Sequence, residues 1–268
     1  MSHTYVHGYD PRENLRLQDQ ATTLEELLHS DTTYAAGSRV LEAGCGVGAQ
    51  TVTLAANSPQ ASITSIDISE DSVRQARETT AAAGIGNVTL QRADIFHLPF
   101  APAAFDHIFV CFVLEHLAQP VVALQALQRV LKSGGSITVI EGDHGSAYFH
   151  PDSDAARRAI RCQIALQAGA GGNALIGREL YPLLCRAGFD AVRVSPRMVY
   201  VDGSKPRLIE GFTKKTFTAM IQGVRDAALA AQLITPSDFD RGIADLYHTA
   251  QSDGVFCYTF FKAVALCP

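Results

Sequence analysis

The stretch Val40-Leu41-Glu42-Ala43-Gly44-Cys45-Gly46-Val47-Gly48, "VLEAGCGVG", decides the fold. Its apolar opening reads as a short buried strand, and its alternating glycines as a tight loop that opens a helix at about 49–56. Strand, glycine loop and helix make the first unit of a doubly wound α/β fold. The glycines follow x-G-x-G-x-G instead of the G-x-G-x-x-G spacing of dinucleotide binders, and Glu42 stands at the strand end before them. That carboxylate would repel a pyrophosphate and attract a ligand bearing an ammonium group. Glycine here lets the backbone approach a bulky nucleoside and adopt dihedrals that a β-carbon disfavours.

Downstream, the same alternation repeats. Ser62–Ile66 reads as a strand ending in Asp67, and Glu70–Ala83 as a helix closed by Gly84. Val88–Gln91 is a strand followed by Asp94, and Asp106–Val113 is another strand. Pro120–Leu131 is a helix stopped by "KSGG", and Ser136–Ile140 is a strand. This order predicts a largely parallel sheet with helices on both faces. Asp67 could accept hydrogen bonds from both hydroxyls of a ribose, Ile68 offers an apolar face to a purine, and Asp94 could take the exocyclic amine of adenine. Each acid alone also reads as a helix cap or turn residue. Together they occupy successive strand ends on the side where open α/β sheets bind ligands.

Beyond this region the regularity loosens. "GRELYPLLCRAGF" reads as a helix, Ala191–Tyr200 as a strand, and Val255–Cys267 as a long final strand. Between those strands, one helix sets Phe217, Met220, Ile221, Val224 and Ala228 on a single face. A second starts at Thr235, has Pro236 in its first turn, and lines up Phe239, Ile243, Leu246 and Tyr247. These two helices are expected as a cap over one end of the sheet. Upstream, residues 12 to about 29 place Leu17, Ala21, Leu24 and Leu28 at helical spacing, with Arg16 and Gln20 one turn apart on another face.

At 268 residues, 47% hydrophobic and 18% charged, the chain fits one large α/β body. No apolar run approaches the roughly 20 residues that a membrane helix needs, and "MSHTYVHGYD" lacks the order of a signal peptide. The expectation is a cytoplasmic protein without a membrane partner. A formal net charge of −5 removes the basic face that nucleic-acid binding demands, which favours a small-molecule acceptor as partner. The six cysteines show no Cys-x-x-Cys pair and no zinc-like spacing, and are expected as reduced, mostly buried thiols.

"VLEAGCGVG", "SIDIS", "RADIFHLPF", "FDHIFVCFVLEHL" and "VLKSGGSITVIEGD" resemble, as a set, the successive motifs of class I S-adenosylmethionine-dependent methyltransferases, over about residues 38–145. The resemblance implies a seven-stranded Rossmann-like sheet, S-adenosyl-L-methionine as cofactor and S-adenosylhomocysteine as product. It implies that Glu42 lies near the methionine amino group and that Gly44, Cys45, Gly46 and Gly48 line the methionine and ribose. Asp67 would hold the ribose, Ile68 would flank the purine, Asp94 and Ile95 would contact the adenine, and Cys111 would offer its backbone to the methionine ammonium.

More narrowly, "YVHGYDPRENLRLQDQ" and "GVFCYTFFKAVA" resemble natural-product enzymes that methylate carbon in teleocidin assembly and at indole C3. That resemblance implies an N-terminal segment folded over the cofactor, with Arg16 or Gln20 at the methionine carboxylate and Tyr5 or Tyr9 at the acceptor. It divides the chain into a lid (1–30), a cofactor-binding core (31–200 and 251–268) and a helical cap (201–250). The expected activity is methylation of a small natural product, leaning to a carbon of an indole or other electron-rich unit. Methylation at oxygen or nitrogen of a small aromatic metabolite is the alternative, and a non-catalytic cofactor-binding regulator is a further one. A homo-oligomer is compatible with the sequence.

A proton must often leave the acceptor, so a base is needed. Glu141-Gly142-Asp143-His144-Gly145-Ser146, "EGDHGS", follows the expected fifth strand, which puts His144 in position as base with Asp143 orienting its ring. His116, beside Glu115 in "LEHL", and Tyr9, with Tyr5 and His7, are the other candidates. A magnesium site at Glu141, Asp143 and His144 is disfavoured, because Mg²⁺ prefers oxygen donors and no third acidic ligand is evident. No metal is expected.

Overall fold

A computed structural model of the protein describes residues 23–268. Tyr5, His7, Tyr9, Arg16, Leu17, Gln20 and Ala21, and with them most of the expected lid, lie outside the described residues. The described chain begins in α1 (residues 23–29), where Leu24 and Leu28 are buried one helical turn apart. It continues through β1 (Arg39–Ala43), α2 (Ala49–Asn57), β2 (Ser62–Asp67), α3 (Glu70–Ala82), β3 (Val88–Arg92), β4 (Phe105–Cys111), α4 (Pro120–Val130) and β5 (Leu131–His150). Then come α5 (Asp154–Gly169), α6 (Leu180–Ala187) and β6 (Asp190–Val201). After α7 (Pro206–Leu208), a π-helical stretch over Ile209–Thr218 runs into α8 (Ala219–Gly223), followed by α9 (Arg225–Ala230), α10 (Pro236–His248) and β7 (Val255–Leu266).

The strands form one seven-stranded sheet in the order β3-β2-β1-β4-β5-β7-β6. β1 pairs parallel with β2 and with β4, β2 with β3, and β4 with β5. The chain therefore winds outward from β1 to β3 and then crosses to β4 on the other side of β1. That reversal opens a crevice at the carboxyl ends of β1 and β4, the position at which doubly wound sheets take ligands. This is the α/β, Rossmann-like fold expected from the glycine loop.

By their contacts the residues fall into two compact units. One comprises Glu25–Glu141, Ile176–Pro196 and Phe261–Pro268; the other comprises the described residues through Leu24 together with Gly142–Leu175 and Arg197–Phe260. The first unit is held by aliphatic packing, with Leu41, Ile66, Ile108, Val110, Ile137 and Val139 all at or below 1% exposure. The second is held by aromatic rings. Phe217 lies 4.8 Å from Phe256, and Tyr258 lies 4.7 Å from Phe260 between ring centroids. Its helices α5 and α10 cross at Gly242, where an added Cβ would lie 2.5 Å from the Ala155 carbonyl oxygen and 3.0 Å from the Ala159 Cβ.

The two faces expected over residues 217–228 and 239–246 are buried, with Phe217, Met220, Ile221, Val224, Ala228, Phe239, Ile243 and Leu246 in the core. Tyr247 is half-buried, its hydroxyl 3.0 Å from Gln222 Oε1. Thr235 caps α10 by accepting from the Asp238 amide at 3.2 Å. No helix of the described residues is long and apolar enough to cross a membrane. Cys45, Cys111, Cys162 and Cys257 are buried free thiols, while Cys185 is exposed.

Two expectations are corrected. The fifth strand does not end at Ile140 but runs to His150, so "EGDHGS" lies within the strand and does not follow it. A helix the sequence reading did not foresee, α5, follows it, capped by Ser153, whose hydroxyl accepts from the Ala156 amide at 3.1 Å.

Candidate functional site

The glycine loop after β1 is built from left-handed backbone. Gly44, Gly46 and Gly48 have φ of 81°, 52° and 82°, a region in which glycine alone is unstrained. The amides of Gly44 and Cys45 both donate to the Ile66 carbonyl, at 2.8 and 2.9 Å, which ties the loop to the end of β2. A side chain at Gly44 would run into Val113 Cγ2, and one at Gly48 would lie 3.0 Å from the Ala76 Cα of α3. These two glycines are required by protein packing. Gly46 differs, since among the described residues no atom lies within 4 Å of an added Cβ.

Asp67, at the end of β2, closes the loop. Its Oδ2 accepts from the Gly46 amide and its Oδ1 from the Ser69 amide, both at 2.9 Å. Burial pushes its carboxyl above the ordinary range, and those amides work against the shift. A carboxylate has about four acceptor positions, so both oxygens retain capacity for a ligand hydroxyl. Ile68 beside it is 50% exposed, a large apolar side chain left open next to a half-buried acid.

Glu42 is only 2% exposed, and its Oε2 accepts from Thr51 Oγ1 at 2.7 Å and from Ser65 Oγ at 2.6 Å. Burial raises its pKa to about 7 against the pull of those two hydroxyls. Burial likewise pushes the Cys45 and Cys111 thiols up, so both are neutral packing groups. Asp94 accepts from the Phe96 amide at 2.9 Å through Oδ1, and its Oδ2 lies 3.0 Å from His97 Nδ1. Ile95 packs against the core of the same unit. The structure therefore joins Glu42, the three glycines and Asp67 at the carboxyl ends of β1 and β2, with Cys111 at the end of β4.

The residues of "EGDHGS" separate. Glu141 is fully buried, and its Oε1 accepts from the amides of Val113 and Leu114, at 3.0 and 2.7 Å, in the turn after β4. Asp143 and His144 are successive strand residues, whose side chains leave on opposite faces. Asp143 Oδ1 accepts from the Gly145 amide at 3.0 Å, and His144 Nδ1 lies 2.8 Å from the Tyr258 hydroxyl of β7. At Nδ1 the imidazole meets the Tyr258 hydroxyl, a partner that the sequence reading did not name. Sequence reading missed Tyr258, although "VFCYTFF" alternates its aromatic residues in the period of a strand. His116 lies in a 3₁₀ turn (Leu114–His116), its Nε2 3.7 Å from Glu115 Oε1. Among the described residues no three His, Cys, Asp or Glu gather as a cation-binding group. Tyr9 and Gln20 lie outside the described residues.

Comparison with known proteins places this geometry. Residues 35–188 match the family model described as "Methyltransferase domain". The chain is 31% identical over 223 residues to an uncharacterized 37.1 kDa protein in transposon Tn4556 of Streptomyces fradiae, covering 82% of this chain and 63% of that protein. It is 32% identical over 134 residues to demethylmenaquinone methyltransferase of Staphylococcus aureus (strain JH9), covering 50% of this chain and 55% of the relative. The chain thus spans less than two thirds of the length of either relative. Among solved structures, Haemonchus contortus phosphoethanolamine N-methyltransferase 2 in complex with S-adenosyl-L-methionine aligns at a TM-score of 0.57 and 16% identity, over 93% of this chain and 52% of that one, a likeness of fold. With the family model covering more than half of its length, this chain belongs to the methyltransferase domain family.

Proposed function

We propose that the protein is an S-adenosyl-L-methionine-dependent methyltransferase acting on a small, largely apolar natural product, at a carbon of an indole or another electron-rich unit. The observation that carries the cofactor reading is Gly46: left-handed backbone with no described residue against its face, its amide bound by the Asp67 carboxylate. Of the three loop glycines, Gly44 and Gly48 are closed off by Val113 and Ala76, while Gly46 faces outward beside the acid that ends β2, where a nucleoside would approach.

In this reading Asp67 receives the ribose hydroxyls, the exposed Ile68 side chain covers one face of the purine, and Asp94 and Ile95 flank the adenine. Gly44, Cys45, Gly46 and Gly48 let the backbone pass close to the ligand, and the Cys111 backbone receives the methionine ammonium. Glu42, raised by burial to a pKa of about 7, ionises more readily beside a cationic ligand, which suits an ammonium group and opposes a pyrophosphate. When bound, the cofactor supplies a methyl group on a sulfonium whose positive charge disappears on transfer. The work left to the protein is alignment, which can contribute about 7–11 kcal/mol. His144, held at Nδ1 by Tyr258, is the group assigned to the acceptor's proton.

The name of the Staphylococcus aureus relative, a demethylmenaquinone methyltransferase, supports a small-molecule acceptor. The test is incubation with methyl-labelled cofactor and a panel of indoles, phenols and amines, with mass spectrometry and NMR of any product. Label on a ring carbon is the expected outcome. Label on oxygen or nitrogen would remove the carbon assignment, and no label on any acceptor would overturn the activity.

A further inference from the structure

Glu141 is the acid of "EGDHGS" that the proposed chemistry leaves unused. It is fully buried at the point where β5 passes the end of β4, and one of its oxygens serves two donors. Oε1 accepts from the Val113 amide at 3.0 Å and from the Leu114 amide at 2.7 Å. Oε2 is buried without a hydrogen-bond partner among the described residues. The two amides open the turn that follows Cys111, where Phe112 takes the left-handed φ of 57°, rare for a bulky residue. Phe112 is itself fixed by donating to the Ile140 carbonyl at 2.9 Å. Val113 in turn fills the space over Gly44, where even one added carbon would strike its Cγ2. A chain of direct contacts therefore runs from the Glu141 carboxyl through the Val113 backbone and side chain to the first glycine of the loop.

We propose that Glu141 is a positioning residue for the cofactor: its Oε1 pins the turn Cys111–Leu114, which fixes both the backbone that receives the methionine ammonium and the Val113 wall of the glycine loop. The proposal rests on the cofactor reading given above. The role needs an acceptor oxygen at Oε1 and no charge. A carboxylate with one oxygen buried and unpartnered is costly when ionised, and burial, reinforced by the nearby charge of Glu115, holds the group well above the usual carboxylate range. A glutamine keeps the acceptor and the length of the side chain, an aspartate keeps the acid but shortens the reach, and an alanine removes both.

This makes the consequences of substitution opposite to those for a charged ligand or catalytic carboxylate. Glu141→Gln is expected to bind S-adenosylhomocysteine within about threefold of the parent by calorimetry, and to keep slow hydrogen exchange at the Val113 and Leu114 amides. Glu141→Ala and Glu141→Asp are expected to weaken binding by tenfold or more and to speed exchange at those two amides by a similar factor. Glu141→Gln losing as much affinity as Glu141→Ala would overturn the proposal, because charge and not the acceptor would then matter. Glu141→Ala with a lower melting temperature but unchanged affinity would also overturn it, leaving only a structural role. If the parent protein itself fails to bind S-adenosylhomocysteine, the cofactor reading falls and the positioning role with it. The exchange rates then report separately whether the two amides depend on Glu141.

Discussion

Alanine at Gly46 separates a ligand cradle from a plain turn. At φ 52° an alanine is in the left-handed well, which costs an L-residue roughly 1–2 kcal/mol. No clash with the described residues adds to this, since none of their atoms lies within 4 Å of the new Cβ. For a chain of this size that cost lowers the melting temperature by roughly 2–8 °C. Gly48→Ala incurs the same backbone strain at φ 82°, and its Cβ also meets the Ala76 Cα at 3.0 Å, so it must lose more stability. Cofactor affinity should follow a different rule. The methyl group of Gly46→Ala occupies the space assigned to the ligand, and a loss of tenfold or more in affinity, about 1.4 kcal/mol, is expected. Differential scanning calorimetry and titration with S-adenosylhomocysteine on the same samples check both halves. Unchanged affinity in a Gly46→Ala protein with the expected small loss of stability would refute the cradle. A Gly46→Ala protein less stable than Gly48→Ala would refute the packing argument.

Other consequences can be checked independently. Burial depresses the His29 pKa from 6.5 to about 4, so stability falls as pH drops through that window, by about 3 kcal/mol. Glu42, raised from 4.5 to about 7, acts oppositely, so that stability falls by about as much as pH rises through its window. Glu42→Gln should therefore shift the slope of stability against pH between 4.5 and 6.5 in the positive direction relative to the parent in urea unfolding, and a profile like the parent's would contradict this. Lys262, buried in β7, donates to the Leu28 carbonyl at 3.1 Å, to Asp31 at 2.6 Å and to Thr32 Oγ1 at 2.5 Å, anchoring the end of α1. Lys262→Met should cost about 1–3 kcal/mol in the same assay, and a neutral result would remove the anchor. Gly242→Ala should cost about 1–3 kcal/mol through overpacking of α5 against α10, and a stabilised variant would show that the crossing is looser than the contact at Ala155 implies.

What the sequence could disclose follows from how local the determinants are. The strand, glycine loop and helix from Arg39 to Asn57 are legible because each signal lies within a few residues of the element it governs. The same holds for Asp67, Ser69 and the start of α3. The far half of β5 was hidden because Gly142, Asp143, Gly145 and Ser146 carry turn chemistry. What keeps it extended is distant in sequence: the Tyr258 hydroxyl fills the space over Gly142, and Ser146 Oγ accepts from the Thr259 amide at 2.9 Å. Helix α5 had a readable cap in Ser153, but its buried Gln163 and Gln167 interrupt the apolar stripe that would have announced it. At the candidate site, that Glu42 and Asp67 stand near strand ends was legible, yet the partners of the acids were not. Glu42 is bound by Thr51 and Ser65, and Glu141 by the turn after β4. Such pairings depend on strand register, which no short motif encodes.

The central claim is that the carboxyl ends of β1 and β2 hold S-adenosylmethionine through Asp67. Calorimetric titration of S-adenosylhomocysteine into the parent protein and into Asp67→Ala tests it most directly. Saturable binding of one ligand per chain is predicted for the parent, with affinity reduced in the variant by roughly 10- to 150-fold, the worth of one hydrogen bond to a charged acceptor. Binding that survives Asp67→Ala unchanged, or no binding by the parent, would contradict the account.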